Sequence, residues 1–221
     1  MLIAGVDEAG RGCVIGPLVV AGIAVKSENL PLLVELGVKD SKMLTAKKRE
    51  ELYPQIIKLT QSYHTIKVLP YIIDKAVRCT KKGYKLNRLE AQTMAKIIEK
   101  LKPDEAYVDA ADVIQERFGE YIKECLTIQA TVISKHKADI TYPIVSAASI
   151  IAKVERDREL EVIKEKYGDC GSGYLTDAKI LMFLERLLTE NGGDYPSCVR
   201  KAWEPARRVK AEHGSTQKTL G

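Results

Sequence analysis

Cysteine is scarce and scattered in this chain. Cys13, Cys79, Cys125, Cys170 and Cys198 are odd in number, widely spaced and without a Cys-x-x-Cys pair, which excludes a disulfide framework and a structural zinc site. Histidine is scarcer still, at three residues (His64, His136, His213), so any metal chemistry must rest on oxygen ligands rather than nitrogen or sulfur. No apolar run approaches the ~20 residues that cross a bilayer. The opening "MLIAGVD" lacks the basic start and cleavage site of a signal peptide, and the expected location is cytoplasmic. There is no internal repeat and no low-complexity tract. Strong net charge is also missing: the formal value is +5, but it is unevenly placed. From Cys198 to Gly221 six basic residues (Arg200, Lys201, Arg207, Arg208, Lys210, Lys218) face two acidic ones (Glu204, Glu212), so four of the five net charges lie there. That segment suits a polyanionic partner, and equally a solvated helix face.

What the chain does have is 45% hydrophobic and 29% charged residues over 221 positions, enough for one large domain with an appendage. "MLIAGVD" and "CVIGPLVVAGIAV" are rich in Val and Ile and flank a glycine-containing tight turn, which predicts an antiparallel hairpin. Thr45 is placed to cap the helix "AKKREELYPQIIKL", and Asn87 to cap a helix carrying Leu89, Met94, Ile97, Ile98 and Leu101 at helical spacing. "EAYVDA" reads as a short buried strand ending in Asp109, and "TIQATVISKHKAD" as a strand running into Asp139. A long helix is opened by Pro143 and closed by Gly168; a second begins after Thr176 or Asp177. A basic helix spans Cys198 to Glu212, with Trp203 as a core anchor, and "GSTQKTLG" reads as a disordered tail. The order of elements predicts an α/β protein: a mixed sheet with helices on its faces and a helical C-terminal part. The expected divisions are 1–175, 176–212 and a flexible tail at 213–221.

Three apolar segments end in, or run into, an acid: Asp7 with Glu8, then Asp109, then Asp139. Taken singly, each acid also reads as a turn residue or cap. If the three strands are neighbours, their ends gather four carboxylates that repel one another unless divalent cations lie among them. Hard oxygen ligands point to Mg²⁺ or Mn²⁺. Two such ions roughly 4 Å apart suit in-line displacement at phosphorus.

Five stretches carry a resemblance: "GVDEAGRGCVIGPLVVAG", "GVKDSKMLT", "AYVDAAD", "HKADITYPIVSAASIIAKVERDRE" and "YGDCGSGYLTD". In this order they resemble the archaeal ribonuclease HII family, related to the eukaryotic type 2 enzyme, from residue 2 to about 178 and less clearly to Trp203. The resemblance implies a ribonuclease H-like mixed sheet with a helical C-terminal part. It implies endonucleolytic cleavage of RNA in RNA/DNA hybrids and on the 5′ side of single ribonucleotides in duplex DNA, leaving 5′-phosphate and 3′-hydroxyl ends, by a monomer. It makes Asp7, Glu8, Asp109 and Asp139 the metal-binding catalytic acids, with Asp109 preferred to Asp112 because it directly follows the apolar strand. His136 is expected to be structural rather than a general base.

RNA differs from DNA at the cut position by one hydroxyl, the 2′-OH. By the same resemblance, Gly10, Arg11 and Gly12 form the turn whose backbone meets that hydroxyl, where glycines let the backbone approach a sugar. Tyr174 packs on the neighbouring deoxyribose. Ser41 and Lys42 resemble phosphate-holding residues, as do Asn87, Ser149 and Lys153. "QKTLG", from Gln217, resembles the start of a sliding-clamp-binding peptide without its two aromatic residues, so clamp binding is expected to be weak.

Overall fold

The chain folds around a twisted five-stranded sheet. The computed structural model describes residues 1–38, 44–80 and 85–219, with side chains as far as Ser215. Strands β1 (Leu2–Ala9), β2 (Leu18–Lys26), β3 (Ser62–Val68), β4 (Glu105–Asp109) and β5 (Thr131–Lys135) lie in the order β3-β2-β1-β4-β5. β1 and β2 pair antiparallel, as do β2 and β3, whereas β1, β4 and β5 run parallel. The three strands expected to carry acids are therefore neighbours. In register Val6 lies beside Val108, and Asp7 and Asp109 follow them at the same end of the sheet.

Nearly every residue of β1 and β2 is buried, because helices cover both faces. On one face lie α1 (Leu30–Glu35), α2 (Ala46–Leu59) and the long α7 (Pro143–Tyr167), packed over Ile3, Ile23 and Val25. On the other, α4 (Leu86–Leu101) sets Met94, Ile97 and Ile98 against Val6, Val20 and Val108, with α5 (Gln115–Lys123) beside it and α3 (Pro70–Arg78) at the rim. Each of these fully buried side chains contributes about 1.5–3 kcal/mol over leaving it in water. Gly5 explains how close α7 lies: a β-carbon there would stand 2.3 Å from the carbonyl oxygen of Ile144. Backbone meets backbone at that point.

A third cluster joins α8 (Lys179–Glu190) and α9 (Glu204–Thr219) to Val14 and Ile15 of the β1–β2 connection and to Leu160 near the end of α7. Trp203 packs against this cluster and against the α4 side of the sheet, as its reading as an anchor requires. No helix among the described residues is long and apolar enough to cross a membrane.

The caps at Thr45, Pro143 and Gly168 stand where expected. Several other expectations are corrected. Gly10 to Cys13 do form the expected tight turn, with the Cys13 amide donating to the Gly10 carbonyl at 3.3 Å, but an irregular stretch separates it from β2, which begins only at Leu18. Gly16 donates to the Cys198 carbonyl and Ile15 bridges Val199, so this loop is stitched to the C-terminal part instead of to its own hairpin. Asn87 does not cap α4, whose first turn already contains it; Lys85 holds that place. Ala178, not Thr176 or Asp177, stands at the cap position of α8. Asp139 does not end a strand: β5 stops at Lys135, and the left-handed Lys137 (φ 56°) turns the chain into the single helical turn α6 (Ala138–Thr141). The last helix starts at Glu204 rather than Cys198 and runs to Thr219, past the expected start of a tail at His213.

Candidate active site

Asp7 and Glu8 are consecutive on a strand, so their side chains leave on opposite faces of the sheet. Asp7 faces α7, where its carboxylate accepts a hydrogen bond from Ser149. Glu8 faces α4 and comes under the negative charge of Glu90. At the sheet's end both also feel Asp109. Asp109 Oδ1 accepts a 2.7 Å hydrogen bond from the Ala138 amide, which ties β4 to α6 and brings Asp139 to the same place. All four acids line one cavity of about 530 Å³, together with Gly10, Arg11, Gly12, Ser149, Lys153 and Tyr174.

The electrostatics of this cavity are strained in one direction. Burial, then the charges of Glu8 and Asp109, hold the Asp7 carboxyl well above the usual carboxylate range. Burial, then Glu90 and Asp109, push Glu8 up as well. Glu8 Oε2 is buried without a hydrogen-bond partner. Burial and mutual repulsion outweigh the nearby Arg11 charge at Glu8, and hard divalent cations are what oxygen donors of this kind hold. Among the described residues no three His, Cys, Asp or Glu side chains are drawn together tightly enough to grip one ion. The donor set fits a divalent cation in kind and in its unpaired oxygen; the acids share a pocket without forming a closed cage.

The other acids around β4 are engaged elsewhere. Asp112 accepts from Arg117, from Asn87 Nδ2 at 2.9 Å and from the Ile114 amide at 3.1 Å, and Arg117 first among these holds its carboxyl down at about 2. Asp104 caps the amide of Leu2, and Glu105 accepts from the Tyr107 hydroxyl. His136 contacts the Asp112 carbonyl through Nε2 at 2.8 Å and stays out of the cavity, in keeping with a structural role.

The remaining expected contact residues divide. Ser149 is only 1% exposed and bonds Asp7, so in this structure it steadies a carboxylate rather than facing solvent. Asn87 lies off the cavity and bridges Arg11 Nη2, at 2.7 Å, to Asp112. Lys153 lines the cavity one helical turn from Ser149. Ser41 and Lys42 lie outside the described residues.

Three important side chains escaped the sequence reading. Glu90, fully buried on the core face of α4, forms an ion pair with Arg11, and burial raises its carboxyl to about 7. The one available signal was an acid four residues before Met94 on an otherwise apolar stripe. Arg200, counted above among the charges for a polyanion, is 0% exposed. It donates to the carbonyls of Gly10 (2.6 Å), Arg11 (2.7 Å) and Gly16 (3.1 Å), so the C-terminal part grips the glycine turn from behind. Arg156, also nearly buried, lines the cavity beside Tyr174.

The geometry can be set beside known proteins. The sequence profile of the family described as Ribonuclease HII matches residues 4–206. The chain is 46% identical over 222 residues to the Ribonuclease HII of Pyrococcus horikoshii, covering 100% of this chain and 98% of that one. The crystal structure of ribonuclease H2 from the same organism superposes with a TM-score of 0.88, over 97% of this chain and 99% of that one, at 45% identity. A structure of the PCNA:RNase HII complex from Archaeoglobus fulgidus matches with a TM-score of 0.81 at 45% identity, over 94% and 96% of the two chains. An RNase HIII solved with Mn²⁺ shares the fold at 22% identity and a TM-score of 0.79, covering 97% of this chain and 71% of that one. The mixed sheet flanked by helices is thus ribonuclease H-like, and the chain belongs to the ribonuclease HII family.

Proposed function

We propose that Asp7, Glu8, Asp109 and Asp139 carry the ribonuclease HII reaction of this chain, the hydrolysis of RNA in RNA/DNA hybrids and at ribonucleotides embedded in duplex DNA. One observation carries the assignment: the four acids line the same cavity as the Gly10–Gly12 turn and Tyr174, so cutting and reading residues face one substrate position. The four carboxylates would hold Mg²⁺ or Mn²⁺, with Ser149 steadying Asp7. When bound, such cations supply an activated water and neutralise charge on the scissile phosphate and the leaving oxygen. The cut falls 5′ of the ribonucleotide and leaves 5′-phosphate and 3′-hydroxyl ends.

Substrate reading falls to the chain's own groups. The carbonyls of Gly10 and Arg11 point back to Arg200 and the Gly10 amide meets the Tyr174 hydroxyl, which leaves the amides of Arg11 and Gly12 for a 2′-hydroxyl. Tyr174, 38% exposed as a residue, offers a flat ring face to a deoxyribose that an added hydroxyl would disturb. Lys153, Ser41 and Lys42 meet backbone phosphates, and the exposed Arg207 and Arg208 of α9 extend the positive surface along the duplex. Ser149 and Asn87 act in this reading by holding Asp7 and Arg11. The Archaeoglobus relative was crystallised with PCNA, and we include a sliding-clamp contact through the segment from Gln217, which a pull-down with purified clamp tests.

The test uses one duplex carrying a single ribonucleotide, with divalent cation or with chelator. Wild-type protein should cut 5′ of the ribonucleotide only with the cation. Asp7→Asn should lower turnover by about a thousandfold or more while hybrid binding persists. Undiminished cutting by this variant, or in thorough chelator, would overturn the assignment.

A further inference from the structure

Arg156 sits between the two loops that read the ribonucleotide, and a glycine of each loop is packed against it. A β-carbon on Gly10 (φ +83°) would lie 3.3 Å from Arg156 Cγ, and one on Gly173 (φ +74°) would lie 3.0 Å from Nη2. The side chain is 8% exposed. Its Nη2 donates to Cys13 Sγ at 3.1 Å and to the Ser172 carbonyl, one contact into each loop; Nη1 reaches Asp157 at 3.3 Å. Its guanidinium carbon stands 5.1 Å from the centre of the Tyr174 ring. The Tyr174 hydroxyl donates to Cys13 and accepts from the Gly10 amide, so the tyrosine rests on the glycine turn itself. The Val14 amide, bonded to the Gly173 carbonyl at 3.0 Å, closes the seam.

Only a planar fork with several fixed donors can serve a thiol, a carbonyl and a ring face at once. We infer that Arg156 is a positioning residue that locks the Gly10–Gly12 turn and Tyr174 into one rigid reading unit, and so sets the preference for an isolated ribonucleotide over continuous RNA. The inference rests on the reading of Tyr174 and the turn given above, and it assigns Arg156 no contact with the reacting phosphate.

The experiment compares kcat/KM on a duplex with one ribonucleotide against kcat/KM on a hybrid whose RNA strand is continuous. It does so for wild type, Arg156→Met, Tyr174→Ala and the double variant, each checked by thermal unfolding. Arg156→Met and Tyr174→Ala should each lower the ratio of the two values by about tenfold, and the double variant should lower it no further, because both changes dissolve the same unit. Arg156→Lys keeps the charge without the fork, should fold in any case, and should also lower the ratio. A wild-type ratio in Arg156→Met, or in Arg156→Lys where the Met variant does not fold, overturns the inference. So do losses that multiply in the double variant. If Tyr174→Ala itself keeps the wild-type ratio, the reading of the tyrosine falls, and this inference with it; a loss in Tyr174→Ala alone removes only the role of Arg156.

Discussion

Gly5→Ala is the most demanding test of how the sheet positions the acids. The added methyl would stand 2.3 Å from the Ile144 carbonyl oxygen, 2.4 Å from its carbon and 2.7 Å from the Val145 nitrogen, where ordinary contact begins at 3.4 Å. All three are backbone atoms, so no rotamer change relieves the clash. The first turn of α7 must retreat by roughly 1 Å from β1, in an interior packed as densely as a crystal. Overpacking of this kind costs about 3 kcal/mol or somewhat more. For a chain of this size each kcal/mol lowers the melting temperature by about 2–4 °C, so the variant should melt roughly 6–12 °C below wild type. The displaced turn follows directly on α6 with Asp139, and its helix carries Ser149 to Asp7. A misplacement of about 1 Å lowers activity about a hundredfold. Calorimetry gives the first quantity, and cleavage of a single-ribonucleotide duplex well below the melting range gives the second. Gly214→Ala, in α9 with nothing within 4 Å of the added carbon, serves as control and should be neutral or slightly stabilising. A melting temperature for Gly5→Ala within about 2 °C of wild type would refute the packing argument.

Two predictions follow from the charges. Asp7 and Glu8 have raised carboxyl pKa values, so without cations the folded state binds more protons than the unfolded one above about pH 4. Stability in chelator should therefore fall as pH rises from there through the raised values, and Mg²⁺ or Mn²⁺ should restore it most at the alkaline end; melts from pH 5 to 8 that show neither trend would contradict the cluster. Asp112 behaves oppositely: held down to about 2 by Arg117, it contributes stability above about pH 3.9 that is lost as pH falls through about 2. Arg117→Met should move the acid-unfolding midpoint upward, and an unchanged acid limb would show that the pair contributes nothing.

The parts of the site that could be read from sequence are those whose signal is local. Asp109 announces itself because an apolar run stops at it, and Pro143 and Gly168 because helix ends have their own chemistry. What escaped depends on partners far away in the chain. Asp139 was found as a residue but not as part of a helical turn, since the bend at Lys137 is secured by a hydrogen bond from the next amide to Asp109. Glu90 reads as a flaw in an amphipathic helix until Arg11, 79 positions earlier, is brought beside it. Arg200 reads as surface charge because nothing near it in sequence shows that three carbonyls of the first loop need a donor. Asn87 has the right residue type for a cap, but Arg11 and Asp112 hold its side chain instead.

The grip of Arg200 on Gly10 spans 190 positions of sequence. A ribosome adding about 5–20 residues each second needs roughly 10–40 seconds to travel between them. During synthesis the first loop therefore emerges long before the guanidinium that fixes its shape. Prematurely terminated chains would own all four acids yet lack the donor that holds the carbonyls of Gly10, Arg11 and Gly16, so a nascent fragment carries an unfinished first loop until Arg200 has left the exit tunnel.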